Sequence, residues 1–201
     1  MKNNANKFTK KIVSGKFKGK TLQIPSKDTT RSSKNIVLES FFNTVQFDII
    51  DANFVEVFSG SGSIGLEALS RGAKQIYFME KDRDALRVLK KNISLTDPLA
   101  CEVISGDSFV NITSVIGMLK RKKEDAYIYI DPPFSIREGM EDIYDKMLLM
   151  IESIPKECAK LIIIEHMTAL KLPNQIGDYT LKKTKKFGKT SLSYFIGKNM
   201  E

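Results

Sequence analysis

The spacing of hydrophobic residues changes along the chain, and each change marks an element. Between Ser32 and Gln46, the residues Ile36, Val37, Phe41, Phe42 and Val45 recur at helical spacing, which predicts an amphipathic helix. From residue 53 onward, β-prone runs alternate with helical ones. Strands are predicted at Asn53–Phe58, Gln75–Met79, Ala100–Ile104, Ala126–Ile130 and Lys160–Ile164. Helices are predicted at Ser63–Arg71, Arg83–Leu95, Ser108–Lys120 and Gly139–Ile154. Strands separated by helices imply a parallel sheet covered on both faces. Two last strands, Tyr179–Lys186 and Ser191–Gly197, are joined by Phe187, Gly188 and Lys189. That connection is too short for a parallel crossover, so an antiparallel hairpin should close the sheet. Ahead of these elements, Lys11–Ile24 sets short β-prone runs around a glycine-containing centre, the pattern of a hairpin. The expected fold class is α/β: a mostly parallel, doubly wound sheet over residues 31–201, preceded by a basic extension at 1–30.

Composition narrows the class. The 201 residues are 42% hydrophobic and 28% charged, enough for a domain with a core and unlike a disordered chain. The longest apolar runs, Leu161 to Ile164 and Met147 to Ile151, fall far below the roughly 18 residues of a membrane span. No apolar block of signal-peptide length follows the lysine-rich start, so no export signal is read. Cys101 and Cys158 share no metal-ligand spacing and sit among apolar residues, as reduced thiols of a cytosolic protein do. No metal site is expected.

The formal charge of +8 is segregated. Residues 1–27 hold eight lysines and no acid, and the remainder sums to zero. A second acid-free cluster contains Lys182, Lys183, Lys185, Lys186 and Lys189. Lysine runs are often only solvated surface. Phe8, Phe17 and Gly19 interrupt the first cluster, however, and argue for a folded basic element that grips phosphates, with Lys16, Lys18 and Lys20 along one edge.

The first predicted strand runs into Ser59-Gly60-Ser61-Gly62-Ser63-Ile64-Gly65, a G-x-G-x-x-G that opens a helix. Glycines there allow a tight turn and close approach to a ligand, and the helix start favours acidic groups. Glu80 ends the next strand twenty residues after Gly60, where a carboxylate can accept bonds from ribose hydroxyls. These features suit a nicotinamide enzyme and an S-adenosylmethionine enzyme equally. Two further acids tilt the balance. Glu56 lies inside a buried strand, where it needs a partner such as the ammonium of a methionine moiety. Asp107 follows the third strand, where it could accept the adenine amine. A dinucleotide requires neither.

Strand AYIYI ends in Asp131-Pro132-Pro133-Phe134. Two prolines fix φ and remove two backbone donors, leaving a stiff, acceptor-rich loop at the carboxyl end of a parallel sheet. That arrangement suits an exocyclic amine, whose lone pair is delocalised into its ring. Asp131 and the Pro132 carbonyl would accept its two N–H groups and aim the nitrogen at a methyl sulfonium. Phe134 would stack on the base, which must leave its helix or loop to enter.

With these motifs in place, the chain resembles the RsmD-type guanine-N2 methyltransferases of small-subunit ribosomal RNA. The resemblance runs through SGKFKGKTL, RSSKNIVLESFFN, FVEVFSGSGSIGLEALSRGA, FMEKD, IYIDPPF and FGKTSLSYF, nearly the whole chain. It implies a Rossmann-like S-adenosylmethionine-dependent methyltransferase fold and a ribosomal-particle substrate, handled by a cytoplasmic monomer. It implies cofactor binding by Glu56, Phe58, Ser59, Gly60, Ser61, Gly62, Glu80, Lys81, Asp107 and Ser108. Asp131, Pro132, Pro133 and Phe134 are then the catalytic set, and Lys16, Lys18, Lys20 and Arg31 the RNA contacts. The family usually reads Arg-Pro-Thr and Val-Arg-Glu in the first helix; this chain has Arg31-Ser32-Ser33 and Val37-Leu38-Glu39.

His166, the only histidine, is expected as an ordinary residue at the end of the LIIIE strand, because the chemistry needs no imidazole. Tyr127, Tyr129, Phe41 and Phe42 are expected in the core. Two alternatives remain open at this stage: an adenine-N6 methyltransferase acting on DNA or RNA, and a non-catalytic RNA-binding module.

Overall fold

Each βα repeat from residue 53 onward is present, and the strands assemble into one sheet. The structure is a computed structural model that describes residues 8–25, 31–133 and 142–197, with backbone alone for 31–34. In chain order the elements are β1 (Thr9–Lys11), β2 (Thr21–Gln23), α1 (Arg31–Thr44), β3 (Asn53–Val57), α2 (Ser63–Ser70) and β4 (Gln75–Glu80). Then follow α3 (Arg83–Ile93), β5 (Cys101–Ser105), α4 (Ser108–Lys122), β6 (Ala126–Ile130) and α5 (Ile143–Glu152). The chain closes with β7 (Ala159–Met167), β8 (Gln175–Ile176), β9 (Tyr179–Phe187) and β10 (Thr190–Gly197).

The main sheet has the order β5-β4-β3-β6-β7-β10-β9-β8. Strands β3 to β7 pair in parallel, whereas β10 lies antiparallel to both β7 and β9. The chain winds outward from β3 through β4 to β5, then returns to lay β6 on the other side of β3. This reversal opens a crevice beyond the carboxyl ends of β3 and β6, the place where open α/β sheets bind ligands.

Alternation along the strands divides the core into two layers. Val55, Val57, Tyr77, Ile128, Ile130, Ile162 and Ile164 pack against α4 and α5. Phe54, Ile76, Phe78, Tyr127, Tyr129 and Ile163 face α1, α2, α3 and the basic hairpin. Phe41, Phe42, Tyr127 and Tyr129 are all buried, as expected of core residues. Leu38, standing where the resembling family usually has arginine, is buried in this second layer.

Several boundaries differ from the sequence reading. Strand β7 continues to Met167 because β10 pairs with it along its full outer half, so His166 lies within a strand rather than after one. Residues Pro98–Ala100 form a 3-10 turn capped by Asp97, and β5 begins only at Cys101. The first helix is Arg31–Thr44, and α5 is described from Ile143, with 139–141 outside the described residues. Strand β8 is too short to leave a periodic signal.

The largest difference is in the hairpin. Its paired strands are three residues each, and the connection between them is not a tight turn but a segment clamped onto α2. Buried Glu67 accepts the backbone N–H groups of Val13 (2.7 Å) and Ser14 (3.1 Å), and also the Arg71 Nε–H (2.8 Å). Lys16 donates its backbone N–H to the Ser70 carbonyl, and Phe17 donates its own to Ser70 Oγ. Gly15 makes this approach possible: its φ is +80°, and a Cβ there would lie 1.7 Å from the Ser70 carbonyl oxygen. Backbone cannot yield as a flexible side chain does. Gly15→Ala should therefore release the segment from α2, seen as new protease cleavage between Ile12 and Lys20 with the sheet still folded. Protection equal to the wild type would contradict the clamp.

Candidate cofactor and amine site

Three carboxylates reach the crevice from neighbouring strand ends, on the face covered by α1, α2 and α3. Glu56 sits inside β3, Glu80 ends β4, and Asp131 follows β6. A fourth, Glu165 on β7, stands next in line, since Ile130 pairs with Ile164. It is buried and accepts the Tyr129 hydroxyl at 2.7 Å. Sequence reading passed over Glu165, although an acid at the end of an apolar run carries the same desolvation signal that singled out Glu56.

Glu56 is 3% exposed and takes its hydrogen bonds from the first turn of α2, accepting Gly65 N–H at 2.8 Å and Ile64 N–H at 3.4 Å. Burial drives its pKa from the usual 4.5 up to about 8; those two N–H bonds and the Lys10 charge oppose the rise, and the Asp131 charge adds to it. Lys10 extends from β1 to Ser63 Oγ (3.5 Å). This arrangement bears on the choice between cofactors. In a dinucleotide site, the pyrophosphate occupies the helix N-terminus. Here a buried carboxyl group already holds two of those donors, and a pyrophosphate would have to compete for them. A cationic methionine moiety would not.

The glycine loop is shaped around Glu80. Glu80 Oε2 accepts Gly60 N–H at 2.7 Å, and Oε1 accepts the N–H groups of Lys81 and Asp82, both at 2.8 Å. Gly60 (φ +53°) has open space where a Cβ would stand, so the backbone is bare toward the crevice. Gly62 (φ +74°) is closed in by Leu89 and Phe78. Phe58 holds φ +60° and meets Phe109 edge-on with centroids 5.3 Å apart, forming an apolar wall beside the loop. Asp107 is exposed and caps α4 by accepting Phe109 N–H at 2.8 Å, and Ser108 behind it is buried. Ser59 bonds back to the Met79 carbonyl, and Ser61 is buried. Lys81 is exposed at the rim. An acid at the strand end beside the glycine loop, an apolar wall, an acid near that wall and a buried acid suited to a cation together fit S-adenosylmethionine.

Asp131 is half-buried, Pro132 buried and Pro133 half-buried. Phe134 lies outside the described residues, as does the Arg31 side chain. Burial raises the pKa values of Tyr129 and Tyr144, and the Asp131 charge contributes to both, as it does at Glu56. Asp131 thus lies among groups from β3, β6 and α5. His166 stays outside this cluster's chemistry: it is buried, its Nε2 pairs with Ser193 Oγ at 2.9 Å, and burial lowers its pKa.

Lys16, Lys18 and Lys20 are exposed but are not brought to Asp131. They occupy the clamped segment at the carboxyl end of α2, a helix of eight residues or roughly 12 Å from the glycine loop. The Lys16 and Lys20 ammonium groups stand 5.2 and 5.5 Å from the Phe17 ring centre, and Lys20 also donates to the Leu95 carbonyl. Asn92, which carried no sequence signal, links this hairpin to the cofactor loop. Fully buried on α3, it accepts Gln23 N–H (2.8 Å) and donates to the carbonyls of Gln23 (2.8 Å) and Ser61 (2.9 Å).

Two outcomes are expected. A folded Glu56 that keeps its proton to about pH 8, against 4.5 when unfolded, means that the folded state binds more protons across that window. Stability should fall as pH rises from 5 to 9, and Glu56→Gln should flatten the fall; parallel Tm curves for the two proteins would refute the buried acid. Asn92→Ala leaves three backbone groups unpaired and should cost about 2–4 kcal/mol in denaturant unfolding. A loss below about 1 kcal/mol would mean that the bridge contributes little.

Comparison with known proteins agrees with this geometry. The family model described as Conserved hypothetical protein 95 matches residues 10–196. Over 154 residues the chain is 30% identical to ribosomal RNA small subunit methyltransferase D of Escherichia coli (strain K12), covering 71% of this chain and 74% of that protein. The solved structure of Escherichia coli yhhF aligns with a TM-score of 0.72 at 26% identity, over 94% of this chain and 97% of its own. The rRNA methyltransferase aviRa from Streptomyces viridochromogenes shares the fold at 13% identity, with a TM-score of 0.63 over 88% of each chain. The sheet is that of the Rossmann-like methyltransferases, and the chain belongs to the Conserved hypothetical protein 95 family, the RsmD-type family of small-subunit ribosomal RNA methyltransferases.

Proposed function

We propose that the protein methylates the exocyclic N2 amine of a guanine in small-subunit ribosomal RNA. Methylation of ribosomal RNA with S-adenosylmethionine as donor is the activity of the family to which the chain belongs. The observation that carries the reading further is the convergence of Glu56, Glu80 and Asp131 on one face of the crevice, from β3, β4 and β6. S-adenosylmethionine supplies a methyl group on a sulfonium, which needs no further activation.

The residues of the chain do the positioning. Glu80 accepts the ribose hydroxyls, Asp107 the adenine amine, and the bare backbone at Gly60 lets the cofactor lie close. Phe58, Ser59, Ser61, Gly62, Lys81 and Ser108 shape the walls. Glu56 faces the methionine ammonium, and its proton is displaced when that charge arrives. The Asp131 carboxylate and the Pro132 carbonyl accept the two N–H groups of the target amine, turning its lone pair toward the methyl carbon. Asp131 then takes the proton that the methylated amine sheds. Pro133 stiffens the loop, and Phe134 stacks on the extruded base. The substrate is the RNA within the small subunit or an assembly intermediate of it, met by a monomer in the cytoplasm. Residues 1–30 act as the extension that seats the particle, with Lys16, Lys18, Lys20 and Arg31 on phosphates.

Asp131→Ala should nearly abolish methyl transfer while leaving S-adenosylmethionine affinity within a few-fold, because the carboxylate acts where the amine reacts. Glu80→Ala should do the reverse, weakening cofactor binding by ~1.5–3 kcal/mol in calorimetry. The reaction itself is tested by mass spectrometry of ribosomal RNA from cells lacking the protein. A missing N2-methylguanosine is expected; an unchanged small-subunit RNA would overturn the assignment.

A further inference from the structure

We propose that the outer edge of β9, with Lys182 and Lys186 on it and Lys189 in the turn beyond, is a phosphate-binding surface that seats the RNA backbone beside the reacting base. The proposal rests on the reading of the protein as an RNA methyltransferase. It assigns a role to the second lysine cluster, which the cofactor and amine sites do not use.

The five lysines of that cluster are not equivalent. Lys185 is half-buried, and its ammonium donates to Ser40 Oγ (3.2 Å) and Thr44 Oγ1 (2.9 Å) of α1. The Lys183 ammonium lies 4.8 Å from the Tyr194 ring centre, and burial lowers its pKa. Lys185 ties β9 to α1, whereas Lys183, itself exposed, is engaged with a ring of β10. Lys182, Lys186 and Lys189 are exposed. No acid occurs between Tyr179 and Gly197, so their charge is not offset within the hairpin.

Among the described residues, topology leaves this edge bare. Strand β8 pairs only with Tyr179 and Thr180, so β9 beyond Leu181 forms the outer rim of the sheet. Tyr194 lies opposite Lys183 and Phe195 opposite Leu181, which makes Lys182 the extra residue of a β-bulge. Bulges re-aim a side chain and turn an edge outward.

Position makes the edge relevant to the reaction. Met167 at the end of β7 pairs with Thr190, and Thr190 pairs with Phe187 at the end of β9. Lys186 and Lys189 therefore stand at the same end of the sheet as Asp131. Three strand spacings separate β6 from β9, roughly 14 Å. A strand of RNA with one base in the crevice spans that distance within a few nucleotides. Thr184, between Lys182 and Lys186, is exposed, but its hydroxyl is paired with Ser193 Oγ at 2.8 Å, so the lysines carry the surface.

Lysines also blunt sheet edges against pairing with other chains. That role accounts for Lys182 and Lys186, but it needs neither the placement of Lys186 at the Asp131 end nor a lysine in the turn. Charge reversal separates the two roles, because glutamate protects an edge as well as lysine and repels phosphate. The variant K182E/K186E/K189E is compared with the wild type in binding to small-subunit particles from cells lacking the protein, across a salt series. Particle affinity should drop at least 30-fold at low salt, and the slope of log K against log salt should shrink by about 2, from loss of two to three phosphate contacts. Cofactor affinity, Tm and turnover at saturating particle concentration should stay within twofold, so the loss appears in KM. The neutral variant K182Q/K186Q/K189Q should reduce the slope equally without the added repulsion. A slope and an affinity equal to the wild type in both variants would overturn the surface. If the wild type binds these small-subunit particles with the larger slope but transfers no methyl group to them, the reading of the reaction fails and the surface stands.

Discussion

The bond between the Glu56 carboxylate and the first turn of α2 organises the site end of this protein. An acid inside a central, fully buried strand is costly unless it is neutralised or bonded. Gly65 and Ile64 supply the bonds, and the helix must come close to do so. A Cβ at Gly65 would lie 2.5 Å from Phe78, 2.7 Å from Ile76 and 2.9 Å from Glu56, so the third glycine of the loop is there for packing and not for ligand approach. Once α2 is drawn onto β3 in this way, the segment between them has little freedom. It turns through Gly60 and Gly62, and its Gly60 N–H falls to Glu80.

The same contact sets the chemistry that the crevice accepts. Its donors are spent on Glu56, and its remaining groups are acceptors: Glu80 and Asp131 at the strand ends, and the Pro132 carbonyl. Such a lining favours cations and N–H or O–H donors and disfavours phosphate. Apart from Lys10, which reaches the start of α2, the clustered positive charge lies toward the periphery, on the hairpin connection and on the rim of β9. A nucleic acid held by its backbone at the rim can present a base amine to an acidic interior, a division of labour between positioning and recognition that is usual in nucleic-acid enzymes.

Periphery and interior are also physically joined. Glu67 clamps the hairpin onto α2 from one side, and Asn92 ties β2 to the carbonyl of Ser61 from the other. The basic hairpin is thus built into the layer that carries the glycine loop, rather than appended as a tail.

Much of this was legible from residue order alone. Strand–helix alternation dictated the parallel sheet, the short Gly188 connection dictated its antiparallel end, and the glycine loop, Glu80 and DPPF marked the crevice, because each of these signals is local and comes from period, turn chemistry or motif. What tertiary structure decided depends on pairing between distant segments. The partner of Glu56 proved to be a helix start eight residues on, and the extent of β7 was set by β10. The hairpin centre became a clamp because Glu67 and Ser70 wait for it more than fifty residues away. Asn92 and Glu165 look ordinary in sequence, and only the juxtaposition of strands gives them partners. Which lysines are free and which hold the fold together was likewise invisible in a run of identical letters, since burial and hydrogen-bond partners are properties of the assembled surface and not of the run.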